Sequence, residues 1–212
     1  MKTHPVTWSV KEKVARLKKK YWVGISSGRS MEFLDKEWGW LMDEKFCLQG
    51  EIGNFINYGG EIAEEVWTEE EQALVAAVKE KLADLKDEWI RGFEPKRKII
   101  TLHAKARIEK AEEIVRELDT QGQLYCWWNG EAYDIGLKRL NKGTGVKKWV
   151  EEMLKLPMNT VLTVGNGVND QKTRELVGMT ATTNETEFLG DLVYQGEELG
   201  GERLLDKLLE LV

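Results

Sequence analysis

The chain of 212 residues holds only two cysteines, Cys47 and Cys126, and neither has metal-ligand spacing around it. A disulfide framework and a structural zinc site are both excluded on that ground, and the two thiols are read as free and buried. No apolar run approaches the length that crosses a bilayer, so a membrane protein is not expected. Met1–Trp8 carries one lysine and no apolar stretch, which argues against a secretory signal and makes a cytoplasmic, reducing location the default expectation. Basic residues do not dominate either. Lys plus Arg number 31 against 37 Asp plus Glu, for a net charge of −6 in short mixed runs, and a nucleic-acid partner would want a basic face.

What is present suits a globular protein. Hydrophobic residues make up 42% and charged residues 32%, ordinary values, in a chain long enough to bury a core as one domain or two small ones. Nine tryptophans are many, and Trp22, Trp38, Trp40, Trp127 and Trp128 stand among other apolar residues, where packing is their expected role.

Ser9-Val10-Lys11-Glu12 has the form of a capping box, predicting a helix over about Ser9–Lys20. The apolar run Tyr21–Ser26 reads as a strand broken by Ser27-Gly28-Arg29-Ser30, after which Met31, Phe33 and Leu34 mark a second helix. Phe46–Leu48 is a further apolar piece before the turn-rich Gly50–Asn54, and Phe55–Tyr58 leads into Gly59-Gly60. Helix and short strand alternate, which predicts an α/β fold with a parallel sheet. From Glu61 the texture changes. Glu61–Trp67 reads as a strand, Thr68-Glu69-Glu70-Glu71 as a capping box opening a helix to about Ile90, Lys98–His103 as a strand, and Lys105–Leu118 as a helix. Gln123–Trp128 and Ala132–Leu140 read as a hairpin around Asn129-Gly130. An α+β unit over 61–140 is therefore expected to interrupt a core made of 1–60 and 141–212. After it come a helix at Gly143–Leu154, the buried strand Thr160–Val164, a loop at Gly165–Asp170, a helix at Gln171–Val177, strands near Met179–Ala181 and Asp191–Tyr194, and helices at Glu185–Leu189 and Glu202–Leu211.

In open α/β sheets ligands bind outside the carboxyl ends of the strands, and three loops answer that description. Ser27-Gly28-Arg29 offers a hydroxyl, amides and a guanidinium, a set suited to phosphate oxygens. Asn141-Lys142-Gly143 puts an ammonium at a helix start, where an anion would offset it. Gly165–Asp170 ends a strand with two glycines, two amide side chains and one carboxylate, which is poor provision for magnesium.

In this order, with an inserted unit between the first loop and the second, these elements resemble the haloacid dehalogenase superfamily of phosphatases, in the subgroup with an α+β cap, and within it the small archaeal phosphoglycolate phosphatases. The resemblance covers nearly the whole chain and implies a Rossmann-like core. By that likeness Ser27, with Gly28, would hold the transferring phosphate, and Lys142 would neutralise it. Asn166, Asn169 and Asp170 would surround a magnesium ion, with Arg29 and Glu51 supporting the loops. Glu51-Ile52-Gly53 is similar to the subgroup's Glu-Asn-Gly turn. The implied ligand is a small phosphorylated metabolite, a phosphoglycolate or a sugar phosphate.

Two departures stand beside the matches. The family opens on a strand ending in Asp-x-Asp-Gly, which supplies nucleophile and general acid, whereas Met1–Trp8 contains no Asp or Glu. Asn166 stands where the family places a metal-binding aspartate, and a neutral amide is a weaker ligand for a hard cation. Phosphoryl transfer needs a nucleophile in line with the leaving oxygen. Ser27 has no histidine near it in sequence, and His103 reads as a strand residue. Two histories fit: an active phosphatase whose start is misplaced or truncated, or a pseudoenzyme that keeps a phosphate cradle as a binding or interaction module. In the family the absent strand is central, between Trp22–Ser26 and Thr160–Val164. Those two strands are therefore expected to pair directly, to recruit Pro5–Trp8, or to leave edges that favour a homo-oligomer.

Overall fold

The computed structural model describes residues 6–85, 88–194 and 200–210. His4 and Pro5 lie outside them. The chain forms two compact units, one over Glu65–Leu140 and one from 2–64 with 141–212.

The first segment opens with α1 (Trp8–Lys18), and its cap is not the expected one. The Thr7 hydroxyl accepts the Val10 N–H, while the Ser9 hydroxyl donates to Glu202, far along the chain. Then follow β1 (Val23–Ser26), α2 (Met31–Trp38), β2 (Phe46–Gly50), β3 (Phe55–Tyr58) and β4 (Glu61–Glu64). β1 pairs with β2 in parallel, with Ser26 opposite Gln49, and β2–β3–β4 continue as an antiparallel meander. Glu61–Glu64, read from sequence as the start of the inserted unit, is thus the last strand of this sheet. Alternation along β2 sends Phe46 and Leu48 to one face, with Val14, Met31, Leu34 and Trp38, and Cys47 to the other, with Val146, Trp149 and Val150. Helices therefore cover both faces, as in a doubly wound core.

The inserted unit contains α3 (Glu69–Ala83), β5 (Ile90–Phe93), β6 (Ile100–Ala104), α4 (Glu109–Leu118), β7 (Leu124–Trp128) and β8 (Ala132–Leu137). Its four strands form one antiparallel sheet in the order β5-β6-β8-β7. The capping box at Thr68 and Glu71 is formed. The helix it opens stops at Ala83, short of the expected Ile90, because Ile90 is taken into the ladder against Ala104.

The chain then returns through α5 (Lys142–Lys147), which continues as a π-type turn over Lys148–Met153, and through β9 (Leu162–Gly165), α6 (Gln171–Arg174), β10 (Met179–Thr182), β11 (Leu192–Val193) and α7 (Gly200–Glu210). Glu185–Leu189, expected as a helix, is a run of turns around the fully buried Phe188. β9, β10 and β11 make a parallel three-stranded sheet. Among the described residues β1 pairs only with β2, and β9 only with β10. Neither direct pairing of β1 with β9 nor a ladder from Val6–Trp8 is formed, since Trp8 already opens α1. Thr160–Val164 was expected to be buried, yet Leu162 and Thr163 are half-exposed and Val164 is 44% exposed, as befits an edge strand.

The tryptophans divide in the same way. Trp38 is buried, Trp127 and Trp128 are half-buried, and Trp22 and Trp40 are about half exposed, Trp40 stacking on Trp8. Cys47 is buried, and Cys126 is only partly so. Among the described residues no helix is long and apolar enough to cross a membrane.

Candidate functional site

The loops that follow β1, β2 and β9 meet around the start of α5. Ser27, directly after β1, donates its N–H to the Gln49 carbonyl at 2.9 Å, and its hydroxyl accepts the Arg29 N–H at 3.2 Å. Arg29 lays its guanidinium over the Phe33 ring, 5.4 Å from the centroid, so part of its surface faces α2 rather than solvent. Ser27, Gly28 and Arg29 are all half-buried.

The turn after β2 binds this loop. Glu51 N–H donates to the Arg29 carbonyl at 2.9 Å, and Ile52 N–H to the Ser27 carbonyl at 3.0 Å. Glu51 is fully buried. On its other side the turn meets α5. A Cβ on Gly53 would stand 2.7 Å from the Asn141 carbonyl oxygen, so only glycine permits that approach. Asn141 caps α5 in a reciprocal arrangement with Thr144.

Lys142 is 8% exposed and its Nζ donates to Asp170 Oδ1 at 2.7 Å. The second oxygen of Asp170 accepts the N–H groups of Asn166 at 3.0 Å and Gly167 at 3.1 Å. Asp170 can fold back in this way because residue 165 has no side chain; a Cβ there would lie 2.6 Å from Asp170 Cβ. Lys142 and Asp170 are thus in direct contact, and Ser27 is tied to them through the 51–53 turn. Asn166 is exposed and Asn169 half-buried.

Magnesium, implied by the resemblance, is not provided for. The one carboxylate among the three expected ligands has both oxygens engaged, one by an ammonium and one by two amides. A hard dication prefers several anionic oxygens, and among the described residues no group of three or more His, Cys, Asp or Glu is placed to hold a metal. The residues present do not fit the ion. Burial pushes the Cys47 and Cys126 thiols up to about 12, which disfavours the thiolate form. His103 lies on β6 with Nε2 3.4 Å from Glu94, in the inserted unit.

Sequence reasoning placed Ile52 in a turn but gave it no role, and the residue is fully buried beneath Gly28; it missed Trp149, whose ring fills the space where a Cβ on Gly24 would be. The available signal was Gly24 itself, a glycine inside an apolar strand, which often marks a close approach.

Residues 40–182 match the haloacid dehalogenase-like hydrolase family, and the chain belongs to that family. No curated protein sequence matches it. Among solved structures the chain is similar to a protein from Thermoplasma acidophilum, with a TM-score of 0.76 and 17% identity over 98% of this chain and 91% of that one. It is also similar to a trehalose-6-phosphate phosphatase-related protein, with a TM-score of 0.70 and 14% identity over 99% and 90%. The trehalose-6-phosphate phosphatase of Aspergillus fumigatus gives 0.64 and 16% over 100% and 87%. At these identities the likeness is one of fold.

Proposed function

We propose that this unit binds the phosphoryl group of a small phosphorylated metabolite, such as a phosphoglycolate or a sugar phosphate, at the rim formed by Ser27, Gly28 and Lys142. The observation that carries this reading is the buried Lys142 ammonium, placed by α5 beside loops that end parallel strands and held by Asp170 at 2.7 Å. A phosphate arriving there meets an ammonium already oriented and largely desolvated, together with the Ser27 hydroxyl. In this reading Asp170 is a counter-ion that fixes Lys142, Arg29 and Glu51 support the loops, and binding requires no metal.

Titration calorimetry with inorganic phosphate and with phosphoglycolate tests the proposal. The expected result is equal affinity with and without magnesium, abolished by Lys142→Ala; heat in neither condition would remove it. Family membership favours a second reading, hydrolysis of the same ligands. It predicts magnesium-dependent release of phosphate from an aryl phosphate, and an inert chain that still binds phosphate would leave the binding reading alone.

A further inference from the structure

The turn after β2 is the most contorted backbone beside the site. Glu51, Ile52 and Gly53 have φ values of 48°, 59° and 84° in succession. Glycine adopts this left-handed region freely and asparagine tolerates it, but a β-branched residue there is an outlier that the surroundings must enforce. Both Glu51 and Ile52 are fully buried, so the contortion lies inside the unit and not at a loop tip. Strain of this kind persists where the neighbouring structure over-determines it, and it clusters at ligand clamps.

What the contortion achieves is visible in its contacts. It aims two consecutive N–H groups at the Ser27 loop, to the carbonyls of Arg29 and Ser27. It places the Ile52 Cγ1 3.6 Å from where a Cβ on Gly28 would stand. It also sets Gly53 against the Asn141 carbonyl, one residue before Lys142. We propose that Ile52 is the positioning residue of the phosphate site: its left-handed backbone and buried side chain hold the Ser27-Gly28 loop at a fixed distance from Lys142. The proposal rests on the phosphate-binding reading for its ligand, but not for its structural content.

Two substitutions test the buried side chain and the strained backbone together. Ile52→Asn suits the left-handed backbone and removes the apolar support, whereas Ile52→Val keeps both the branching and the contact. The expected result is a folded Ile52→Asn protein whose Kd for inorganic phosphate rises about tenfold, the lower end of what losing a residue that orients a binding group costs, while Ile52→Val stays within about twofold. Amide hydrogen exchange of Glu51 and Ile52 in ligand-free protein is the second readout, with faster exchange expected in Ile52→Asn alone. Phosphate affinity unchanged in Ile52→Asn would overturn the proposal. If the unaltered protein binds no phosphate, the exchange readout still decides: no acceleration in Ile52→Asn overturns the positioning role, and acceleration upholds it while the ligand assignment falls. A core control, Phe55→Ala, is expected to lower thermal stability without changing the affinity of the folded protein; a loss of affinity equal to that of Ile52→Asn would reduce Ile52 to ordinary packing.

Discussion

In the inserted unit four strands make one continuous sheet, backed by α3 and α4 over a single cluster that includes Leu102, Tyr133 and Ile135, each essentially unexposed. In the unit that carries the candidate site the strands fall into two sheets, and β1 and β9 each keep one edge unpaired among the described residues. The first arrangement places its stability in apolar burial distributed over a ladder. The second places a buried charge pair, a contorted turn and half-exposed strand edges within the same small region. Completing a sheet and building a site make opposite demands, because loops that present amides and ammonium groups to a ligand cannot also bury them in a ladder.

The largest expected effect lies at the charge pair. Lys142→Ala leaves the Asp170 carboxylate buried without its cation, and denaturant unfolding is expected to show a loss of about 3–5 kcal/mol. Replacing both members, Lys142→Met with Asp170→Asn, which keeps an acceptor for the Asn166 and Gly167 N–H groups, is expected to restore much of that stability while leaving no phosphate binding. Full stability in the single variant would show that the ammonium is not desolvated and would erase the contrast between the units.

Next comes a matched pair of truncations. Leu102→Ala, in the middle of the complete sheet, is expected to cost about 2–5 kcal/mol, whereas Leu162→Ala, on the half-exposed β9, is expected to cost about 1 kcal/mol. Equal losses by chemical denaturation would mean that β9 is as well covered as β6, contrary to its exposure.

The same contrast explains what could be read from the sequence. Most elements of the inserted unit were legible because local signals agreed with tertiary ones: the Thr68 capping box, the 3.6-residue apolar spacing of α3, and Asn129-Gly130 between two alternating runs, where Gly130 has a φ of 91°; β5 was not, since the helix reading ran on to Ile90. In the other unit the order of elements was readable apart from β4, read into the inserted unit, and a helix at Glu185–Leu189 that does not form, but exposure was not. Thr-Val-Leu-Thr-Val has the composition of a central strand, and composition does not say whether a neighbour is present. Of the site, Lys142 and Asp170 stood out as residues of the right type. Their 2.7 Å contact was not legible, because it depends on a glycine at 165 and on the fold-back of the loop. Ile52 was legible only as the middle of a turn similar to Glu-Asn-Gly; its own β-branched side chain gives no hint of a left-handed backbone, although the asparagine of that likeness tolerates one.

A third expectation concerns pH and belongs to the inserted unit. Glu71 is held down to about 2 chiefly by Arg139, which contacts it through Nε at 2.6 Å, and by the Thr68 N–H; desolvation opposes the shift. Arg139 also donates to the Val66 carbonyl, so one guanidinium joins the two ends of the unit. The folded value lies below the ordinary carboxylate value, so this contribution is fully present above about pH 4.5 and is lost as pH falls toward 2. Because Arg139 is nearly half exposed, the contribution is screened, and about 1–2 kcal/mol is expected. Urea midpoints measured across that window should fall for the natural sequence and fall less for Glu71→Gln; parallel curves would show that other carboxylates govern the acid limb.

The smallest expected difference compares two helix starts. At α3 the cap is reciprocal: Thr68 Oγ1 accepts the Glu71 N–H at 3.1 Å, and Glu71 returns a carboxylate to the Thr68 N–H at 2.9 Å. At α1 the Thr7 hydroxyl accepts a single N–H at 3.4 Å, and the helix is held instead by Lys13, which pairs with Glu202 at 2.9 Å and Asp206 at 2.7 Å on α7. Thr68→Ala is expected to cost about 1 kcal/mol and Thr7→Ala about 0.5 kcal/mol. If thermal unfolding shows the Thr7 variant to be the more damaged, then α1 depends on its own start and not on α7, and the unit bearing the site is less reliant on distant contacts than its split sheet implies.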